Sequence, residues 1–341
     1  MSPQTLAPNL LANSMPMSRT FVNQLSHGES VDEIFLAADK QLRPNREGKL
    51  YLQVRLSDKT GSVTAMMWNA NQGHFDHFEN GDYVRIQGKS QLYNGGMQVI
   101  ARNVRKVDDE AVDEGDFITL SESGVNQLAD ELREKLLGSL RNVHLRNLAQ
   151  QFLDDAEFMA AFKRAPAGVK NHHAYHGGLI EHTVSVLELA EFVGKKYDRL
   201  DTDLLMMGAF LHDSGKIHEL SYDKDLSYRD AGQLMGHMVM GVEMLQKKIE
   251  AVEIASGESF PEQIATQLKH LILSHHGKLE YGSPVLPMTI EAIALTQIDN
   301  LDARLHNFLS VIDEDANPAS QWTPYQPSLG RKIFKNSASG E

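Results

Sequence analysis

The chain has 341 residues, a formal net charge of −13 and no cysteine. That length accommodates about two domains, each with a core of its own. The acidic balance excludes a protein whose whole surface coats duplex nucleic acid, though not one with a local basic groove. The absence of cysteine excludes a disulfide framework, a thiolate nucleophile and thiolate metal ligands.

Residues 1–18 are polar, carry Pro3, Pro8 and Pro16, and read as a disordered arm. They lack the basic start and continuous apolar stretch of a signal peptide, and no run of about 18 apolar residues follows anywhere. A soluble, cytoplasmic protein with no membrane partner is the expectation. Residues 19–108 are rich in strand signals. Leu50, Leu52, Val54 and Leu56 alternate with Tyr51, Gln53 and Arg55, the period of a half-buried strand. Phe35 to Arg43 supplies an opening strand, Ser62 to Trp68 another with Val63, Ala65 and Met67 inward, and Tyr83 to Lys89 another with Val84 and Ile86 inward. Asn94-Gly95-Gly96 between Tyr93 and Met97 is a hairpin signal, because those residues tolerate positive φ. About five short strands in this space predict a small closed barrel that resembles an OB-fold of the nucleic-acid-binding type. The block holds 12 Lys/Arg against 10 Asp/Glu, slightly basic in an acidic chain. Tyr51, Trp68 and Tyr93 fall opposite the aliphatic stripes, beside Arg55 and Lys89. Aromatics interleaved with cations on an exposed barrel face suit stacking of bases and contact with phosphates of single-stranded RNA or DNA.

Residues 109–165 read as an acidic linker followed by connecting helices. Thr119-Leu120-Ser121-Glu122 has the form of a capping box. Val125, Leu128, Leu132, Leu136 and Leu140 then recur at helical spacing, and Leu148, Phe152, Phe158 and Phe162 mark a second helical stretch ending at Pro166. Residues 166–313 read as an all-α domain: Gly178 to Lys195, the apolar Thr202 to Leu211, Gly232 to Ile249, Pro261 to His276 and Met288 to Leu309. Its 12 Lys/Arg face 21 Asp/Glu, and eleven of the fifteen histidines lie from His172 onward. Residues 314–341 are polar, show no amphipathic period and read as a disordered tail.

Candidate ligands come from separate helical segments: His182, then His212 and Asp213, then His237, then His275 with His276, then Asp299. Adjacent residues on a helix point about 100° apart, so His212 and Asp213 can share one ligand only near a helix end. Imidazole beside carboxylate suits a borderline divalent metal. Several imidazoles among apolar neighbours satisfy one another poorly, whereas a metal takes one lone pair from each and leaves the other N–H for a supporting acceptor.

His182, His212-Asp213 and Asp299, in this order, resemble the HD-domain metal-dependent phosphohydrolases, as do Gly177-Gly178-Leu179-Ile180-Glu181-His182-Thr183 and His212-Asp213-Ser214-Gly215-Lys216. With the barrel, the segments His172-His173-Ala174-Tyr175, Gly236-His237 and Leu273-Ser274-His275-His276-Gly277 are similar to the YhaM-type 3′→5′ exoribonucleases over residues 19–313. The resemblance implies that His182, His212, Asp213 and Asp299 form a primary metal site. His237, His275 and His276 would hold a second ion, with Asp213 bridging. It implies one or two divalent transition ions, with manganese first and Fe, Co, Ni or Zn equally suited to N/O ligands. Lys216 would be a fixed cation for a phosphate oxygen. His172 and His173 would bind phosphate or protonate a leaving oxygen, or serve a structural role. The implied reaction is hydrolysis of single-stranded RNA, with DNA as an alternative, from the 3′ end to nucleoside monophosphates.

One departure concerns Gly277 to Pro284, which do not spell the Gly-Tyr-Pro element of HD enzymes that open cyclic dinucleotides. Two other readings stay open: a nucleotide or cyclic-nucleotide phosphohydrolase with a regulatory barrel, and a non-enzymatic nucleic-acid-binding protein with a structural metal. The oligomeric state is not legible.

Overall fold

The computed structural model describes residues 19–93, 96–117, 119–169, 173, 175–222, 226–313, 315 and 320–335. Five strands close a barrel in the order β1-β2-β3-β5-β4. They are β1 (Ser30–Pro44), β2 (Leu50–Asp58), β3 (Gly61–Trp68), β4 (Tyr83–Tyr93) and β5 (Gly96–Lys106), with a short helix α1 (Gln72–Asp76) between β3 and β4. All neighbours are antiparallel except β3 and β5. Period-two alternation builds the barrel core: Leu52, Val54, Leu56, Val63, Ala65, Val84 and Ile86 are buried around Phe35. The strand expected at Tyr83–Lys89 runs on without a break to Tyr93 as β4. The hairpin tip, Asn94 and Gly95, lies outside the described residues.

The acidic stretch after β5 is tied to the barrel. Arg19 Nη1 donates to Asp116 Oδ2 at 2.9 Å, Lys59 Nζ to Oδ1 at 3.2 Å, and the Lys59 backbone N–H to the Asp116 carbonyl at 2.9 Å. Then come α2 (Glu122–Ser139), α3 (Val143–Leu153), α4 (Ala156–Arg164), α5 (Gly178–Lys196) and α6 (Thr202–Leu211). After these lie α7 (Lys216–Glu219), a two-residue hairpin β6 (Leu220–Ser221) and β7 (Ser227–Tyr228), α8 (Asp230–Met235), α9 (His237–Ser256), α10 (Glu262–Ser274) and α11 (Ile290–Asp313). The cap of α2 is Ser121, which accepts from Gly124 N–H, not Thr119. The stretch carrying Leu148 to Phe162 is two helices, because Asp155 leaves the helix to cap α4. Its phenylalanines still form one core. Phe152, Phe158, Phe162 and Phe210 lie 5.1–6.2 Å apart by ring centroids, each burial contributing about 1.5–3 kcal/mol. Residues 232–249 are likewise interrupted, at Gly236 (φ 75°, ψ 153°), so that His237 opens a new helix.

The tail is not featureless. Residues 322–334 turn back on themselves with bridges Trp322↔Phe334 and Gln326↔Arg331, and Thr323 and Ile333 are buried. A turn built on Pro324, Pro327 and Gly330 has no helical or strand period to betray it. Among the described residues, no helix is long and apolar enough to cross a membrane.

Candidate metal centre

Helix ends bring the histidines together. His212 is the C-cap residue of α6, and the chain turns immediately, so His212 and Asp213 face one point as an adjacent pair at a helix terminus can. His275 caps α10 in the same way. His237 is the first residue of α9, and its approach requires Gly215: a Cβ there would lie 2.0 Å from the His237 carbonyl oxygen. His182 lies in the second turn of α5, against α11, which carries Asp299. His182, His212, Asp213, His237 and His275 are all buried.

Every imidazole is oriented by its Nδ1. His182 Nδ1–H donates to Asp302 Oδ2 at 2.7 Å, His212 Nδ1–H to the Ala209 carbonyl at 2.8 Å, His237 Nδ1–H to Glu219 Oε1 at 3.1 Å and His275 Nδ1–H to the Ile272 carbonyl at 2.7 Å. Each Nε2 therefore points inward, toward carboxylates. His182 Nε2 lies 3.2 Å from Asp299 Oδ1 and 3.3 Å from His212 Nε2, which is 3.5 Å from Asp213 Oδ2. On the other side, His237 Nε2 and His275 Nε2 lie 3.4 and 3.5 Å from Asp213 Oδ1. Asp213 thus divides the cluster into two halves, one oxygen toward each. His276 extends the second half, its ring 5.2 Å from that of His237 and its Nδ1–H donating to the Tyr281 carbonyl.

The donor set fits a cation. Asp213 Oδ1, His237 Nε2 and His275 Nε2 are buried without a hydrogen-bond partner, and with each Nδ1 holding its proton, all three present lone pairs to one another. An unsatisfied buried polar atom costs about 1–3 kcal/mol; a divalent ion accepts all three lone pairs at once. The first half is satisfied differently. Burial opposes charge on His182, but Asp299 and Asp302 override it and raise its pKa to about 9. Its Nε2–H then serves Asp299 and His212, and His182 would have to give up that proton to hold an ion. His212, pushed down to about 4 by burial, stays a neutral lone-pair donor. Burial opposes ionisation of Asp213 as well, yet Lys216 and His212 hold its carboxyl well below the usual range.

Lys216 is not a solvent-facing cation. Its Nζ donates to Asp213 Oδ2 and to the Ala167 carbonyl, both at 2.6 Å, so it stands at the shared carboxylate. His173 is buried behind His182, its Nδ1–H donating to Glu181 at 2.8 Å, and its ring lies 3.8 Å from that of His306. His172 lies outside the described residues. On the barrel, Tyr51 and Trp68 are cross-strand partners with ring centroids 5.4 Å apart, and Trp68 is half exposed. Arg55 pairs with Asp39 at 3.2 Å. Lys89 and Tyr93 are exposed on β4, separated from Trp68 by β5.

Comparison with known proteins agrees with both halves of the molecule. An OB-fold nucleic acid binding domain matches residues 38–107 and an HD domain residues 179–304. The 3′-5′ exoribonuclease YhaM of Bacillus subtilis (strain 168) is 36% identical over 280 residues, 82% of this chain and 86% of that protein. Its namesake from Bacillus velezensis is 35% identical over 279 residues, with the same coverage of each chain. The chain belongs to the YhaM family. The similarity runs over 82% of this chain, so it takes in both the barrel and the helical domain.

Two residues of the centre escaped the sequence reading, Asp302 and Glu219. Each backs one inward-facing histidine, and each half of the cluster pairs such a histidine with one held by a backbone carbonyl. The signal for Asp302 was its place three residues after Asp299, one helical turn along the same face. Glu219 sits at the end of a four-residue helix and left no periodic signal.

Proposed function

We propose that this chain is a metal-dependent 3′→5′ exoribonuclease that hydrolyses single-stranded RNA to nucleoside monophosphates in the cytoplasm, with manganese as the foremost ion. The observation that carries the reading is the convergence of four imidazole Nε2 atoms and two carboxylates at a buried point, within a family whose relatives are named exoribonucleases. His182, His212, Asp213 and Asp299 would hold one ion, and His237, His275 and His276 a second, with Asp213 between them. Divalent ions held there supply Lewis-acid polarisation of the phosphoryl oxygen and acidify water. Water adds to phosphorus, the bond to the ribose oxygen breaks, and that oxygen takes up a proton. Asp213 must remain ionised throughout, and Lys216 keeps it so through a 2.6 Å contact. Asp302 and Glu219 keep Nδ1 protonated on two histidines, so that Nε2 stays the inward atom. The barrel holds the strand while its end reacts, raising the local concentration of the next bond.

The direction of attack rests on the named activity of the relatives. A 5′-labelled single-stranded RNA incubated with Mn²⁺ should give a ladder of shortening products, and Asp213→Asn should slow it by about 10³-fold, beyond rescue by excess metal. Turnover of free nucleotides with the oligonucleotide left intact would replace this reading with the nucleotide phosphohydrolase.

A further inference from the structure

The outward face of the barrel carries a second cluster, away from the aromatic pair. Across β4 and β5, Arg85 stands directly opposite Arg105, and Gln87 opposite Asn103. Like charges in a cross-strand pair are destabilising, so this pairing needs a compensating anion. One acid is at hand: Asp32 on β1 accepts from Arg85 Nε at 2.6 Å and from Gln87 Nε2 at 3.0 Å. Among the described residues the Arg105 side chain makes no hydrogen bond and no close ion pair, although its charge, after that of Arg85, also helps to hold the Asp32 carboxyl below its ordinary range. Arg85, Gln87, Asn103 and Arg105 line a surface hollow of about 210 Å³.

A bulge shapes this surface. The register of β5 slips between its partners Gln87 and Gly88, leaving Arg102 and Asn103 both exposed in succession. Gly88 permits it: a Cβ there would lie 2.3 Å from the Ile100 carbonyl oxygen. Parallel pairing sets Met66 of β3 beside Ile100 of β5. Trp68 ends β3 and Arg102 follows two residues after Ile100 on β5, and both are exposed. The outer face thus carries the aromatic pair on β2 and β3, then Arg102 on the neighbouring β5, then the arginine hollow on β5 and β4, with about 4.8 Å between adjacent strands.

We infer that the hollow between Arg85 and Arg105 is a phosphodiester subsite, taking the backbone of a single strand whose bases stack at Tyr51 and Trp68. It rests on the reading that this barrel binds single-stranded RNA. Guanidinium groups offer planar paired donors that match phosphate oxygens, and the two amides add neutral donors. No aromatic ring lines the hollow, so it grips backbone and does not read bases.

The test is fluorescence anisotropy of a single-stranded RNA 20-mer with the full chain in EDTA, from 50 to 300 mM salt. Arg105→Gln should weaken binding about 3- to 10-fold at the lowest salt, equally for different sequences, and lower the log–log salt slope by about 0.7. Asp32→Asn should tighten binding, a gain that damaged folding does not produce. An unchanged slope with Arg105→Gln, or weaker binding with Asp32→Asn, overturns the subsite. Inorganic phosphate and adenosine monophosphate serve as competitors. If millimolar amounts saturate an Arg105-dependent site while the RNA slope stays unchanged, the hollow holds free phosphate and the strand assignment fails. Because binding is read without metal, a chain that shows the Arg105 effect yet degrades no RNA contradicts the exonuclease and leaves the subsite standing.

Discussion

The barrel and the helical domain place their polar chemistry in opposite ways. On the barrel, Trp68, Arg102, Arg105 and Lys89 occupy the outward positions of strands whose inward positions are aliphatic. They cost the core nothing, and each can change without disturbing its neighbours' packing. In the helical domain, His182, His212 and Asp213 are buried, as are the core residues Leu179, Leu211 and Leu271. There every ring nitrogen and carboxylate oxygen must be matched, and a bound cation would match Asp213 Oδ1, His237 Nε2 and His275 Nε2 together. Exposed chemistry adjusts affinity by degrees; buried chemistry fails as a unit.

The sharpest way to break that contrast is to remove the acceptors behind the histidines. Asp302→Asn and Glu219→Gln should each lower metal affinity about 10- to 100-fold. The losses should fall on different halves of the cluster, so calorimetric titration with Mn²⁺ should lose a different binding step in each variant. Equal, partial loss of both steps in both variants would merge the halves into one indivisible site. On the barrel, Trp68→Ala should cost about 1–3 kcal/mol of single-strand affinity, visible as a raised KM for a 20-mer and a much smaller change in kcat. A collapse of kcat would tie the barrel to the chemical step.

The smallest effect concerns the helical scaffold. Asp155 caps α4 and accepts from Lys248 of α9 at 2.6 Å. Asp155→Ala should cost about 0.5–2 kcal/mol of stability in a denaturant titration. The Lys248 hydrogen bond, then the Phe158 backbone N–H, lower the pKa of Asp155 in the folded protein. Its contribution is therefore fully present above the unfolded carboxyl value and is lost as pH falls through the lower folded one. The gap between wild type and Asp155→Ala should narrow below about pH 4; a gap independent of pH would assign the whole effect to the cap.

The same contrast governs what could be read from the sequence. Period-two alternation exposed the strands of the barrel and put Trp68 and Tyr51 on its outer face, because burial leaves that pattern in the chain. The His212-Asp213 pair announced a helix end, and His212 is the residue that caps α6. Pairings across the sequence left no such trace. His182 meets Asp302 over 120 positions, and Arg85 meets Arg105 only once β4 and β5 are in register. Local interruptions were also hidden: an apolar run continues through Gly236, and only its backbone conformation reveals that His237 begins a helix. A carboxylate at the end of a short helix, such as Glu219, looks like any solvated acid until its partner is known.

The tie at Asp116 bears on how the two domains cooperate. With Arg19 and Lys59 holding Asp116, Phe117 packed against Tyr83 of the barrel and α2 starting at Glu122, residues 118–121 alone separate the domains. Fully extended, that strap spans about 18 Å at most between Phe117 and Glu122. So short a connection makes the molecule a ruler. A link this short limits how far the barrel can move from the helical domain, and a strand too short to reach both can be gripped at one end only. Degradation by this chain should therefore slow at a characteristic remnant length, set by the strap and not by the sequence of the RNA.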